Sequence, residues 1–292
     1  MASIKKSSEL ILNEDGTVYH LNLLPEHIAD TVITVGDPSR VAQVSKHFDT
    51  IDNIISKREF ITHTGKIGSK SLTVLSTGIG PDNIDIVLNE LHILASKNLS
   101  TGEDFARARS LNIIRIGTSG TICDDIEIDS FIISKAALGL DNVLHFYKKP
   151  VNIQEQHIAN KFQAHCGFPE GIKPYYSPAS AHLISSFKSW NQFGITLTAP
   201  GFYGPQGRGV NLALSTNNFI TKLQSFSCKE GRITNIEMES ATIFGLCSLL
   251  GHRAISANAI LANRATGTFS KQPRKTIEKL IKNVLETICS SE

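Results

Sequence analysis

Cysteine is scarce in this sequence and nowhere paired. Cys123, Cys166, Cys228, Cys247 and Cys289 are scattered, odd in number and without a CxxC spacing. That fits reduced thiols better than a disulfide framework, so a cytoplasmic location is expected. Clustered metal ligands are missing too: His165 and Cys166 adjoin, but no partner stands at a zinc spacing. No apolar run approaches the roughly 20 residues a membrane helix needs. The first residues, MASIKKSSELILNEDG, lack the apolar core of a signal peptide. An excess of one charge is absent as well. Lys and Arg total 29 against 27 Asp and Glu, too even a balance to hold a nucleic acid by electrostatics alone. Repeats, low-complexity tracts and interdomain linkers are also lacking, so a single α/β domain is expected over 1–292.

With 41% hydrophobic and 19% charged residues the composition is ordinary, so the informative features are local. The stretch 235–251, NIEMESATIFGLCSLLG, opens with Glu237 and Glu239 around Met238. Ala241, Phe244, Cys247 and Leu250 follow at helical spacing, and Gly251 stands where a helix would stop. Carboxylates among isoleucine, methionine and alanine need a partner, because burying them bare is costly. A plainer reading has both complementing a helix N-terminus.

Four other stretches carry chemistry-bearing residues. TVITVG at 31–36 reads as a strand; GDPSR follows, then a helix over 41–48. Strand, glycine turn and an arginine in the first helical turn suit an anion, though not as a P-loop, whose glycine spacing and lysine are missing. NIIRIGTSG at 112–120 reads as a buried strand with Arg115 inside it, which must meet a carboxylate or bind an anion. Its carboxyl end, Gly117-Thr118-Ser119-Gly120, is where open α/β sheets bind ligands. The strand at 194–198 runs into APGFYGPQGR, aromatics and glycines followed by Gln206 and Arg208. Gln206 donates and accepts while Arg208 only donates, a pair suited to the carbonyl–NH–carbonyl edge of a flat ring such as uracil; a surface turn is the bland alternative. AISANAILA at 254–262 is a further buried strand ending at Asn263-Arg264. Lesser expectations are strands at 71–77 and 130–134, a helix capped by Asp82, a connection with a short helix at 96–110, and irregular chain over 136–150. From Pro273, the spacing of Ile277, Leu280, Ile281, Val284, Leu285 and Ile288 predicts a packing helix.

GDPSR, REF, STGIG, RIGTSG, FYGPQGR, NIEMES and NR occur in an order and at spacings that resemble the uridine phosphorylases, within the wider nucleoside phosphorylase family. The resemblance runs from about His20 to the C-terminal helix, leaving 1–18 as an N-terminal extension. It implies a mixed, distorted β-sheet, a partial barrel, surrounded by helices. It also implies roles. Gly36, Arg40, Arg115 and Thr118 would hold phosphate, with Arg58 arriving from a neighbouring subunit. Glu239 would bind the ribose 2′-hydroxyl, Met238 would pack on the sugar, and His20 of the neighbour would meet the 5′-hydroxyl. Ser119, Gly120, Phe202, Gln206, Arg208 and Glu237 would form the uracil pocket, with Arg264 supporting Gln206.

The implied reaction is reversible phosphorolysis of uridine, with deoxyuridine or thymidine as further substrates, to uracil and the sugar 1-phosphate in pyrimidine salvage. Arg208, Gln206, Glu239 and Arg115 would carry the chemistry. No cofactor is implied; inorganic phosphate is the co-substrate. The expected partners are these small molecules and further copies of the chain, as a dimer or a hexamer built as a trimer of dimers, with no nucleic acid and no membrane. Some bacterial members bind potassium at the dimer interface through a glutamate, an isoleucine carbonyl and a serine. Glu59 and Ile79 match that pattern, but Asn83 stands at the serine position. A purine nucleoside phosphorylase would place an aspartate where this chain has Asn263-Arg264. A nucleoside hydrolase would leave Arg40, Arg58 and Arg115 without purpose, and a non-catalytic nucleoside-binding protein would bind without turnover.

Overall fold

Strands built on β-branched residues make the frame. The protein was studied as a computed structural model that describes residues 9–290; the first eight residues of the expected extension lie outside these. The strands are β1 (Thr31–Val35), β2 (Thr50–Lys57), β3 (Phe60–Ile67), β4 (Lys70–Ser76), β5 (Asn112–Thr121), β6 (Phe131–Gly139), β7 (Tyr175–Pro178), β8 (Phe193–Thr198), β9 (Ser227–Cys228), β10 (Gly231–Glu237), β11 (Arg253–Asn263) and β12 (Thr268–Phe269). Seven helices, α1 (Ser39–Ser45), α2 (Pro81–Ser96), α3 (Ile153–Cys166), α4 (Ala181–Ser186), α5 (Phe219–Ser225), α6 (Ser240–Leu250) and α7 (Pro273–Ser290), surround them among the described residues.

The sheet closes on itself. β11 pairs in parallel with β5 along its whole length and antiparallel with β6, and β6, β8 and β10 complete a five-stranded barrel back to β5. From β5 the sheet continues outward through β1, β4, β3 and β2. The central strands are buried on both faces: every residue of TVITV in β1 is covered, as a parallel strand with layers on either side requires. Three apolar clusters fill the layers. One lies under α2 and α6, one against α3 and α5, and one beneath α1 and α7. The mixed, barrel-like sheet ringed by helices is the architecture the resemblance implied.

One edge of β5 sets up everything that follows. It pairs with β1 from Asn112 to Arg115 and with β10 only at Gly120 and Thr121. Between these contacts its neighbours diverge, which makes the kind of crevice at strand ends where α/β sheets bind ligands.

Several local expectations shift. The helix after GDPSR is α1, beginning at Ser39 rather than Val41. Asp82 is not the cap of α2: Gly80, at φ 101°, holds that position and Pro81 starts the helix, since proline's missing N–H costs nothing there. No helix forms over 97–111, where turn chemistry wins; Asn98 accepts from the backbone and hydroxyl of Ser100, and Lys97 pairs with Asp104. The segment expected to be irregular from 136 begins as the second half of β6, because Ala136, Ala137 and Leu138 bury against β7 and β8.

Candidate active site

Arg115 sits in the middle of β5, and residues two apart on a strand share a face. The next residue on its face is Gly117, over which the guanidinium lies. A Cβ there would fall 1.7 Å from Arg115 Nη1. The spacing R-I-G is therefore a packing requirement: only glycine lets the arginine fold along its own strand.

Two carboxylates meet this guanidinium. β10 ends at Glu237 and α6 begins at Ser240, so the corner between them carries Glu237 and Glu239 inward. Arg115 Nη2 donates to Glu239 Oε2 at 2.5 Å and lies 3.1 Å from Glu237 Oε2, and its Nη1 donates to Asn258 Oδ1 of β11 at 2.9 Å. Glu237 also accepts from Thr198 Oγ1 at 2.6 Å and from the backbone N–H groups of Glu239 and Ser240 at 3.0 Å. It thus caps α6 as well as pairing, so both readings of this corner hold for it. Glu239 accepts from Gly80 N–H at 2.9 Å.

The charges are unequally matched. Burial works against the charge on Arg115, but Glu237 and Glu239 outweigh it and hold the guanidinium above its ordinary pKa. Two carboxylates share one cation, and the strain appears on Glu239: burial raises its pKa, with Glu237 adding to the effect and Arg115 opposing it. Arg40, from the first turn of α1, is also buried but differently placed. Burial lowers its pKa, with nearby Arg115 acting the same way and Asp37 against. Among the described residues no carboxylate pairs directly with Arg40. A buried guanidinium without such a partner is prepared for an anion from outside the chain.

The loop after β8 brings further groups. A turn at Gly204–Gln206 is closed by Gly207 at φ 71°, which brings Arg208 back onto Phe202. The Arg208 guanidinium stacks 3.9 Å from that ring, and its Nη1 donates to Gln206 Oε1 at 2.6 Å and to Phe202 O at 2.7 Å. Arg264, just beyond β11, donates to the backbone carbonyl of Gln206 and so anchors the loop to the barrel. Ser119 Oγ accepts from Asn235 Nδ2 at 3.0 Å.

These groups enclose a cavity of about 720 Å³. Of the residues singled out by sequence, Gly36, Arg40, Arg115, Thr118, Ser119, Gly120, Phe202, Gln206, Arg208, Glu237, Met238 and Glu239 all line it. Arg264 stands behind the wall. Leu261, Ala262 and Phe269 line it without having been singled out, and Asn258 orients Arg115 from β11. The signal for Asn258 was present, an amide alone with serine in the apolar run AISANAILA. His20 and Arg58 are not in this cavity. Arg58 is exposed in the turn between β2 and β3 at φ 54°, and His20 pairs with Glu90 of α2. The two nonetheless share one patch. The Tyr19 ring lies 4.9 Å from the His20 ring and 5.9 Å from the Arg58 guanidinium. Beside Ile79, Asn83 Nδ2 donates to Glu59 Oε1 at 3.4 Å. Among the described residues no group of three or more His, Cys, Asp or Glu side chains is arranged to hold a metal ion, and no helix is long and apolar enough to cross a membrane.

A profile of the phosphorylase superfamily matches residues 30–290. The chain belongs to the phosphorylase superfamily. Within that superfamily it is 31% identical to the uridine phosphorylase of Thermococcus kodakarensis, over 92% of this chain and 86% of that protein. It is 28% identical to the uridine phosphorylase of Haemophilus influenzae, over 92% of this chain and 96% of that protein. Among solved structures it is similar to a Trypanosoma brucei nucleoside phosphorylase described as showing uridine phosphorylase activity, with a TM-score of 0.88, 30% identity, and 97% and 100% of the two chains covered.

Proposed function

We infer that this protein catalyses the reversible phosphorolysis of uridine to uracil and ribose 1-phosphate. The observation that carries the reading is which side chains one cavity gathers. Its lining brings together Arg40, buried and without a carboxylate partner, Arg115 paired with Glu239, and Gln206 held by Arg208. Those are the groups that an anion, a polyol and a flat ring with a polar edge require. The uridine phosphorylases among its relatives support the same reading.

Phosphate, held by Arg40, Arg115, Thr118 and the Gly36 backbone, attacks C1′ from the face opposite the base. The C1′–O bond to hydrogen phosphate forms as the C1′–N1 bond breaks, the bonding pair leaves on uracil, and the proton that hydrogen phosphate gives up balances the one uracil takes on release. Glu239 orients the ribose through its 2′-hydroxyl, with Met238 against the sugar. Positive charge developing on the sugar is balanced by the phosphate dianion. Negative charge developing on uracil meets donors from Gln206 and Arg208, preorganised by Arg264 and the Phe202 stack, as in an oxyanion hole. Glu237 works chiefly by holding Arg115 and the corner of α6. Inorganic phosphate is the co-substrate.

His20 and Arg58 belong to this chemistry only if a second copy supplies them. Their common patch around Tyr19, away from the cavity of their own chain, supports an oligomer in which each protomer completes its neighbour's site. The deciding assay follows uridine by ultraviolet absorbance with and without inorganic phosphate, with inosine in parallel. Uracil release that depends on phosphate, with inosine inert, is expected. Release without phosphate would make the protein a hydrolase, and cleavage of inosine alone would assign it to purines.

A further inference from the structure

Glu90 is a buried carboxylate on α2 that the mechanism above leaves unused. Among the described residues its only ion-pair partner is His20. Three donors converge on its two oxygens. They are the backbone N–H of His20 at 2.9 and 3.1 Å, the backbone N–H of Leu21 at 2.8 Å and His20 Nδ1 at 2.6 Å. An ionised carboxylate only accepts, so Nδ1 carries the hydrogen and Nε2 of a neutral ring is left as an acceptor. The Tyr19 ring meets the imidazole edge-on, and Lys57 Nζ, donating to Tyr19 O at 2.7 Å, ties the same segment to the β2 strand.

We propose that Glu90 is a positioning residue that fixes the tautomer and orientation of His20, so that its Nε2 accepts the ribose 5′-hydroxyl of nucleoside bound in a neighbouring protomer. The proposal rests on the functional reading above. A side chain present only to fill space on α2 needs no carboxylate, and burying one is costly. Its oxygens are spent on the backbone on both sides of the His20 peptide as well as on the ring, which fixes where the imidazole starts and how it is turned.

The test compares uridine with 5′-deoxyuridine, which lacks the hydroxyl, in wild type, Glu90→Gln, His20→Ala and the double variant. The amide offers one acceptor oxygen to three donors, so at least one donor faces an NH₂ group and the ring is released. Wild type is expected to favour uridine in kcat/KM by about three- to tenfold, the worth of one hydrogen bond. Glu90→Gln should lose most of that preference through KM for uridine, with 5′-deoxyuridine little changed, and the double variant should fall no further than His20→Ala. Nitrogen-15 spectra of the histidines should show one ring protonated at Nδ1 and bare at Nε2 in wild type but not in Glu90→Gln. Equal losses on both nucleosides, or a preference that survives in Glu90→Gln, would overturn the proposal while leaving uridine phosphorolysis standing. Wild-type protein inert on both nucleosides overturns the functional reading and this proposal with it.

Discussion

Arg40 and Arg115 are both buried arginines in one cavity, yet they should respond oppositely to replacement. Arg115 neutralises Glu237 and Glu239. Arg115→Met would strand two buried carboxylates, and breaking such a pair costs about 3–5 kcal/mol. Arg40 has no carboxylate to strand, and its burial already works against its charge. Arg40→Met should leave the urea midpoint unchanged or raised while increasing KM for phosphate roughly 10- to 100-fold, the worth of charged hydrogen bonds. Equal destabilisation of the two variants would contradict this division. In the loop after β8, Arg208→Ala should lower kcat by about 10²–10³, as losing an oxyanion donor does, with the midpoint unmoved. This contrast was half legible in the sequence. An arginine inside NIIRIG had to find a carboxylate or an anion, and it finds carboxylates. Nothing in GDPSR told whether Arg40 had a partner, because Asp37 stands only three residues before it and only three-dimensional geometry keeps the two from pairing.

At the scale of elements, β5 is the strand on which the cavity depends. Arg115 lies flat over Gly117, so Gly117→Ala should push the guanidinium off Glu239 and Asn258. Overpacking of this kind costs typically 1–3 kcal/mol. The uracil-release assay should show activity falling at least tenfold, while Gly251→Ala, at φ 76° beyond α6 and with no atom near its Cβ, should cost stability alone. Strands and long helices with one kind of period were readable: β1, β5, β11 and α7 stand where the apolar runs placed them. α3 went unread although Ile158, Ala159, Phe162 and Cys166 fall at helical spacing behind the Asn152 cap, because polar residues between them dilute the stripe. The short helix expected over 96–110 failed for the converse reason, with local side-chain bonds to the backbone outcompeting a weak pattern. The barrel itself could not be read, since parallel pairing of β5 with β11 leaves no mark in either strand beyond burial.

For the whole molecule, acid should act through a histidine far from the chemistry. His252 is buried just before β11, accepting from Leu111 N–H at its Nδ1 at 3.2 Å, while its Nε2 faces His92 Nδ1 of α2 at 3.2 Å. Burial, with His92 adding to it, lowers its pKa to about 4. The unfolded chain takes up that proton near pH 6.5, so it binds protons in a range where the folded state does not. Stability from the neutral ring is therefore complete above about pH 6.5 and is lost as pH falls towards 4, by an amount on the order of 3 kcal/mol. Urea unfolding across that range should show the slope, and His252→Asn, which keeps an acceptor for Leu111, should flatten it. A slope that persists in the variant would place the titration elsewhere.

The closure of the barrel has a consequence for the nascent chain. β5 pairs residue for residue with a strand that follows it by roughly 140 positions, Asn112 with Arg253 and Thr121 with Asn263. At translation rates of about 5–20 residues per second, β5 waits on the order of 10 s after its own synthesis for that partner to be made. Throughout that interval an apolar strand holding a buried arginine has one edge open, the condition under which strands join the wrong neighbour. The carboxylates that neutralise Arg115 are made only shortly before β11. Until then Arg115 is a cation without a pocket, and the strand that carries it is an exposed liability during synthesis.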